Sequence, residues 1–98
     1  MLRVKISARA ASEIRKAAKW WAENRPAAPS AVRKDTGEAL VLLAQQPGIG
    51  VPCLGAKIKG VRRLLVSRIG YFIYYRVTPD TLEVLAVWHV SRGKLPAI

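Results

Sequence analysis

The sequence predicts an α+β fold, in which an N-terminal strand is followed by an antiparallel helical hairpin packed on one face of a sheet and then by a three-stranded antiparallel meander. Three observations point there. The apolar period changes from two to about 3.6 after Ser7, two prolines in Asn24–Ser30 interrupt a long helical pattern, and a period of two returns after the Gly- and Pro-rich stretch 47–60. Ninety-eight residues, 51% of them hydrophobic, suffice for one core, so residues 1–98 are expected to form a single domain.

Leu2, Val4 and Ile6 alternate with Arg3, Lys5 and Ser7, the pattern of a half-buried strand. Ser7 is placed to cap a helix that runs from Ala8 to about Asn24, with Ala11, Ile14, Ala18 and Trp21 on its apolar face and Arg9, Glu13, Lys16 and Lys19 largely elsewhere. NRPAAPS, residues 24–30, ends this helix, because proline fits only the first turn of the next one. The second helix therefore starts between Pro26 and Ala31, turns Val32, Ala39, Leu40 and Leu43 inward, and stops before Pro47-Gly48. So short a connection predicts an antiparallel pair.

The stretch PGIGVPCLGAKIKG, residues 47–60, reads as a loop. Beyond it, Val61–Ser67, Tyr71–Val77 and Leu82–Val90 read as strands separated by turns at Arg68-Ile69-Gly70 and Thr78-Pro79-Asp80-Thr81. By alternation Tyr71, Ile73, Tyr75 and Val77 share one face of their strand, and Phe72, Tyr74 and Arg76 share an open face on the other. The last strand places Leu82, Val84, Ala86 and Trp88 on one side and Leu85, Val87 and His89 on the other; being apolar on both, it belongs inside the sheet. The tail Gly93–Ile98 carries no pattern and is open to disorder without a partner.

Seventeen Lys and Arg against six Asp and Glu give a net charge of +11, spread over both halves of the chain, so an acidic partner is expected. One cysteine, Cys53, and one histidine, His89, cannot assemble a disulfide or a recognised zinc pattern, so neither a metal nor another cofactor is expected. With no apolar leader or span, the protein reads as cytoplasmic, with no membrane partner.

Four features of the second half stand in a defined order. They are the loop Gln46-Pro47-Gly48-Ile49-Gly50, the arginine-led strand Val61-Arg62-Arg63-Leu64, the strand ending YYRV at Tyr74–Val77, and the final Trp88-His89-Val90-Ser91-Arg92. Together with SARA at the first helix and RPAA between the helices, this order resembles the ParE branch of the RelE/ParE superfamily, the plasmid-stabilisation toxins of bacterial toxin–antitoxin modules. The resemblance implies a small basic toxin, neutralised by a cognate ParD-like antitoxin whose acidic or amphipathic C-terminal segment wraps its helices and sheet. In the ParE branch it implies binding and inhibition of DNA gyrase; in the RelE branch, cleavage of messenger RNA on the ribosome.

RNA cleavage needs a base, an acid and cations for the phosphate. The alternative endoribonuclease would draw on His89, Arg76 and Arg92, but it lacks a base. Glu83 and His89, six residues apart on one strand and hence on one face, lie about 20 Å apart. His89 is therefore read as a strand-end residue, Cys53 as an ordinary loop cysteine, and no catalytic residue is assigned. The residues expected to contact antitoxin or target are Trp20, pushed to the helix boundary by its neighbour Trp21, with Arg62, Arg68, Tyr74, Arg76 and Arg92 around the sheet.

Overall fold

The computed structural model describes all residues, Met1–Ile98. Strand β1 (Arg3–Ile6) leads into helix α1 (Ala8–Asn24), helix α2 (Ala31–Gln45) and a 3-10 turn at Pro47–Ile49. Strands β2 (Val51–Pro52), β3 (Arg62–Val66), β4 (Tyr71–Val77) and β5 (Thr81–His89) follow, and a second 3-10 turn, Val90–Arg92, ends the regular structure. Both helices and the three meander strands lie where their periodicities put them.

The sheet has five strands in the order β1-β5-β4-β3-β2. It is mixed, not purely antiparallel, because β1 runs parallel to β5, with Val4 opposite Leu82 and Ile6 opposite Val84. No tight turn joins these two strands, so nothing forces them antiparallel. The extra strand β2 lies inside the expected loop, where Val51 and Pro52 pair with Arg63 and Arg62. Two residues are too few to show a period, and proline is admissible because β2 is an edge.

Ser7 closes the strand and starts the helix at once. Its Oγ accepts the Ala10 N–H at 3.0 Å and donates to the Leu85 carbonyl at 3.2 Å, so one side chain both caps α1 and fixes it to β5. Helix α1 buries Ala10, Ile14 and Ala17, with Ala18 and Trp21 packed at the rim, a face rotated slightly from the one centred on Ala11 and Ala18. The small alanines let the helix approach the sheet closely. Helix α2 buries Val32, Leu40 and Leu43 as expected, adding Ala31, Thr36 and Ala44. Val4 and Ile6 point towards the helices from the sheet's edge and stay 40% and 41% exposed, so β1 is less buried than its alternation implied.

A bulge decides the faces of β5. Tyr74 pairs with Ala86 and Tyr75 with Val84, which leaves Leu85 as the extra residue and shifts the alternation by one. Leu82, Val84 and Val87 consequently join Ile73 and Tyr75 in the main core beneath the helices, while Ala86 and Trp88 turn to the opposite face. The simple alternation that put Leu82, Val84, Ala86 and Trp88 together is thus corrected. The second face is not open either: Tyr74, Ala86, Trp88 and Val61 form a smaller core covered by Cys53, Ala56, Ile58 and Ile98. The tail is ordered, with the Lys57 N–H donating to the Ile98 carbonyl, Arg9 to the Ala97 carbonyl, and the Trp88 indole to the Lys94 carbonyl.

Strand β1 ends at Ile6, so the neighbouring edge of β5 beyond Val84 has no strand partner. Side chains of α1 occupy it. The Glu13 carboxylate accepts the Val87 N–H at 2.9 Å through Oε1 and meets Arg9 at 3.4 Å through Oε2. A helix thereby completes the ladder where the sheet runs out.

Candidate functional site

That edge of β5 is also where aromatic and basic groups collect around one exposed ring, Trp20. Trp21 packs against the core and Trp20, one position earlier on α1, is 46% exposed. The bulge sends Trp88 to the far face, and the turn that follows carries Arg92 back over it, with the guanidinium 3.9 Å from the ring centroid. Arg9 approaches the same ring at 5.4 Å. Both distances suit cation–π attraction, which fixes the guanidinium groups without neutralising them.

Between α1 and the end of β5 these residues line a groove of roughly 540 Å³ formed by Arg9, Lys16, Trp20, Tyr71, Trp88 and Arg92, with Glu13 and Val87 at its floor. Glu13 is the only acid in it, and its carboxylate already serves Arg9 and the Val87 N–H. The groove is therefore cationic, aromatic and partly desolvated, a surface suited to an acidic partner that presents apolar side chains.

Of the six expected contact residues, only Trp20 and Arg92 line this groove. Arg62 reaches the carbonyls of Gly50 at 2.7 Å and Gly48 at 3.3 Å and staples the turn after α2. Arg68 makes a two-pronged pair with Asp35 at 2.6 and 2.7 Å, tying the β3–β4 turn to α2; that hydrogen-bonded pair raises its pKa. Arg76 lies opposite Glu83 and meets both its oxygens at 3.4 Å, leaving its buried Nε without a partner. Tyr74 is 1% exposed, so its expected place on an open surface is corrected: it is a core residue under loop and tail. Its hydroxyl accepts from Arg63, whose guanidinium lies 4.1 Å from the Phe72 ring centroid.

Arg9, Lys16 and Trp88 are the site residues that sequence reasoning missed. A signal existed: Arg9, Glu13, Lys16 and Trp20 recur at spacings of four, three and four, one continuous stripe on a helix. Trp88 had no comparable signal, since only the bulge reveals its face.

The alternative catalytic set is not assembled. His89 lies opposite Tyr71 and Arg76 opposite Glu83, five positions apart on β4, or roughly 17 Å at 3.3 Å per residue. The shift at Leu85 also puts Glu83 and His89 on opposite faces, which corrects their expected sharing of one. The His89 ring stands edge-on to Tyr71, with centroids 5.0 Å apart, and its Nδ1 accepts the Ser91 N–H at 3.1 Å, so the histidine closes the turn that carries Arg92. Burial pushes the Cys53 thiol up, with Arg63 opposing. No three His, Cys, Asp or Glu side chains converge on a point that would hold a metal ion. No helix is long and apolar enough to cross a membrane.

A helical hairpin on a mixed five-stranded sheet, with a cationic aromatic groove beside β5, defines a small basic α+β protein. Residues 4–93 match the model of the family described as the ParE toxin of the type II toxin–antitoxin system parDE, and the chain belongs to that family. Among solved structures, a chain of the chromosomal ParDE TA system from P. aeruginosa superposes with a TM-score of 0.75 at 21% identity, covering 92% of this chain and 97% of its own; the likeness is one of fold. A comparison with curated proteins finds no match.

Proposed function

We propose that this ParE-family toxin acts by binding DNA gyrase and is neutralised by a ParD-like antitoxin with an acidic, amphipathic segment. The family match over residues 4–93 carries the reading. The net charge of +11 and the groove of Trp20, Trp88, Arg9, Lys16 and Arg92 support it, because they favour an acidic protein partner over a small neutral substrate.

The two partners are assigned to two surfaces. The Trp20–Arg92 groove is the target contact. The antitoxin takes a second, more apolar groove of roughly 370 Å³ between β1 and the helices, where Ile6, Ile14 and Leu40 are flanked by Arg15 and Arg33. Beside it β1 offers the outer edge of the sheet, and Thr36 Oγ1 is buried there without a hydrogen-bond partner. An amphipathic acidic segment supplies apolar side chains for the floor, carboxylates for the rim arginines and backbone groups for the free edge. The ribonuclease reading lacks such support, because His89 and Arg76 lie at opposite ends of their strands and are not brought together.

The deciding experiment induces the toxin in bacteria without its antitoxin and follows DNA breaks, the SOS response and transcript integrity in one culture. Breaks with filamentous cells and intact messages are expected. Ribosome-dependent transcript cleavage without DNA damage overturns the gyrase reading.

A further inference from the structure

A second cleft lies at the C-terminal end of α1, on the other side of Trp20. It has a volume of roughly 550 Å³, within the range of small-molecule sites, and its walls are Trp20, Trp21, Arg25, Tyr71, His89 and the turn Ser67–Gly70. The toxin reading above makes no use of it.

Its walls are made of π faces and hydrogen-bond donors. The two indoles stand edge-to-face with centroids 6.3 Å apart. Arg25 lies 5.1 Å from the Trp20 ring centroid and 5.9 Å from that of Trp21, held by stacking and by a bond to the Asn24 carbonyl, with no carboxylate paired to it. Its charge is thus placed but not neutralised.

His89 adds a second donor. Its Nδ1 accepts the Ser91 N–H, which leaves Nε2 to carry a ring proton towards the cleft. Nε2 sits beside Gly70, 3.8 Å from the point a Cβ there would occupy, and hydrogen-bonds to no protein group. No acid lines the cleft, and the one other cation in it, Arg68, is paired with Asp35 outside.

At Gly70 the turn's backbone is already used: its N–H donates to the Val66 and Ser67 carbonyls, and its carbonyl accepts the Val90 N–H. The cleft is walled by a turn and not by a free strand edge, and it offers stacking surfaces next to one free guanidinium and the His89 Nε2–H. A planar, anionic ligand satisfies all of these, and the combination of aromatic ring and phosphate is that of a nucleotide.

We infer that this cleft binds a nucleotide, with the base against the indole and guanidinium surfaces of Trp20, Trp21 and Arg25 and the phosphate bonded to Arg25 and to His89 Nε2–H. The same chemistry is presented by a free mononucleotide and by one unstacked unit of a single-stranded nucleic acid.

Amide chemical-shift mapping tests this on the full chain, with adenosine 5′-monophosphate, adenosine, inorganic phosphate, an eight-nucleotide single strand and a short peptide ending in tryptophan as probes. The expected result is that the monophosphate or the strand shifts Trp21, Arg25, Gly70 and His89 signals, more tightly than adenosine or phosphate alone. Saturation by the monophosphate identifies a free nucleotide as the source; saturation by the strand alone identifies nucleic acid. Arg25→Ala, at an exposed position, should weaken binding about tenfold, and His89→Gln less, with the folded spectrum kept. Binding unaffected by Arg25→Ala, shifts confined to the sheet face around Arg63, or response to the peptide alone would overturn the assignment.

Discussion

The Tyr75 hydroxyl accepts the Gly50 N–H at 2.9 Å while donating to the Pro47 carbonyl at 2.7 Å, so a ring at the centre of the sheet holds the turn that follows α2. Tyr75 is fully buried, and a Cβ at position 50 would overlap its hydroxyl and ring edge. Gly50 has ordinary extended dihedrals, so space, not backbone freedom, requires glycine there. Tyr75→Phe should cost about 1–3 kcal/mol by leaving the two turn groups unpaired. Gly50→Ala should cost about 2–3 kcal/mol by overpacking, and should remain costly in the Tyr75→Phe background because the ring carbons clash as well. Urea unfolding of the two single variants and the double variant checks both.

The same hydroxyl sets an alkaline limit. Burial raises the Tyr75 pKa above its ordinary value of 10.0, against the smaller opposing effects of the Gly50 N–H and Arg62, and burial raises that of Tyr71 against Arg92. A folded pKa above the unfolded one means that the native state holds its proton longer. The contribution is fully present below about pH 10 and is lost as pH rises through the folded values. Wild type should lose stability more steeply than Tyr75→Phe between pH 9 and about 11. Comparing the two removes the lysine titrations common to both; equal slopes would refute the coupling.

Ser7 and Glu13 should behave as parts of the sheet although they stand on the helix side of the chain. Glu13→Ala leaves the Val87 N–H without its acceptor and should cost about 1–3 kcal/mol, whereas Glu13→Gln keeps an amide oxygen in place and should recover most of it. Ser7→Ala removes both the Ala10 cap and the bond to the Leu85 carbonyl and should cost about 1–2 kcal/mol. Hydrogen exchange at Val87 distinguishes these effects from a general loosening: its protection should fall selectively in Glu13→Ala.

These residues mark where the sequence stopped being legible. Periodicity located both helices and all three meander strands, because each buries a regular face for seven residues or more, or is bounded by a short turn. It did not locate β2, which has two residues, or the bulge, since Leu85 is as apolar as its neighbours and disturbs no pattern. Everything downstream of that bulge was misplaced in consequence, including the face of Trp88 and the relation of Glu83 to His89. Tyr74 was assigned correctly to the face away from the helices, but its burial depends on the 53–58 loop and the tail, whose irregular sequence says nothing about where they fold. Among the arginines, charge alone did not separate those that bind within the fold, Arg62, Arg68 and Arg76, from Arg92, which the Val90–Arg92 turn presents outward.

The last prediction separates the groove's role from the stability of the fold. Trp20 is 46% exposed and Arg92 stacks on Trp88 from outside, so replacing either should leave the unfolding midpoint near that of wild type. If the groove is the target contact, Trp20→Ala removes a central aromatic anchor and should weaken gyrase binding by about 2 kcal/mol, roughly thirtyfold, mostly through faster dissociation. Arg92→Glu reverses a charge at the rim and should slow association and flatten its dependence on salt. Both variants should still bind antitoxin, while Arg33→Glu, at the exposed rim of the groove beside β1, should weaken antitoxin binding and keep toxicity. Binding kinetics at two salt concentrations, run in parallel with growth arrest, read all three. Loss of antitoxin binding in Trp20→Ala with gyrase binding intact would exchange the two assignments, since the same groove would then serve the inhibitor and not the target.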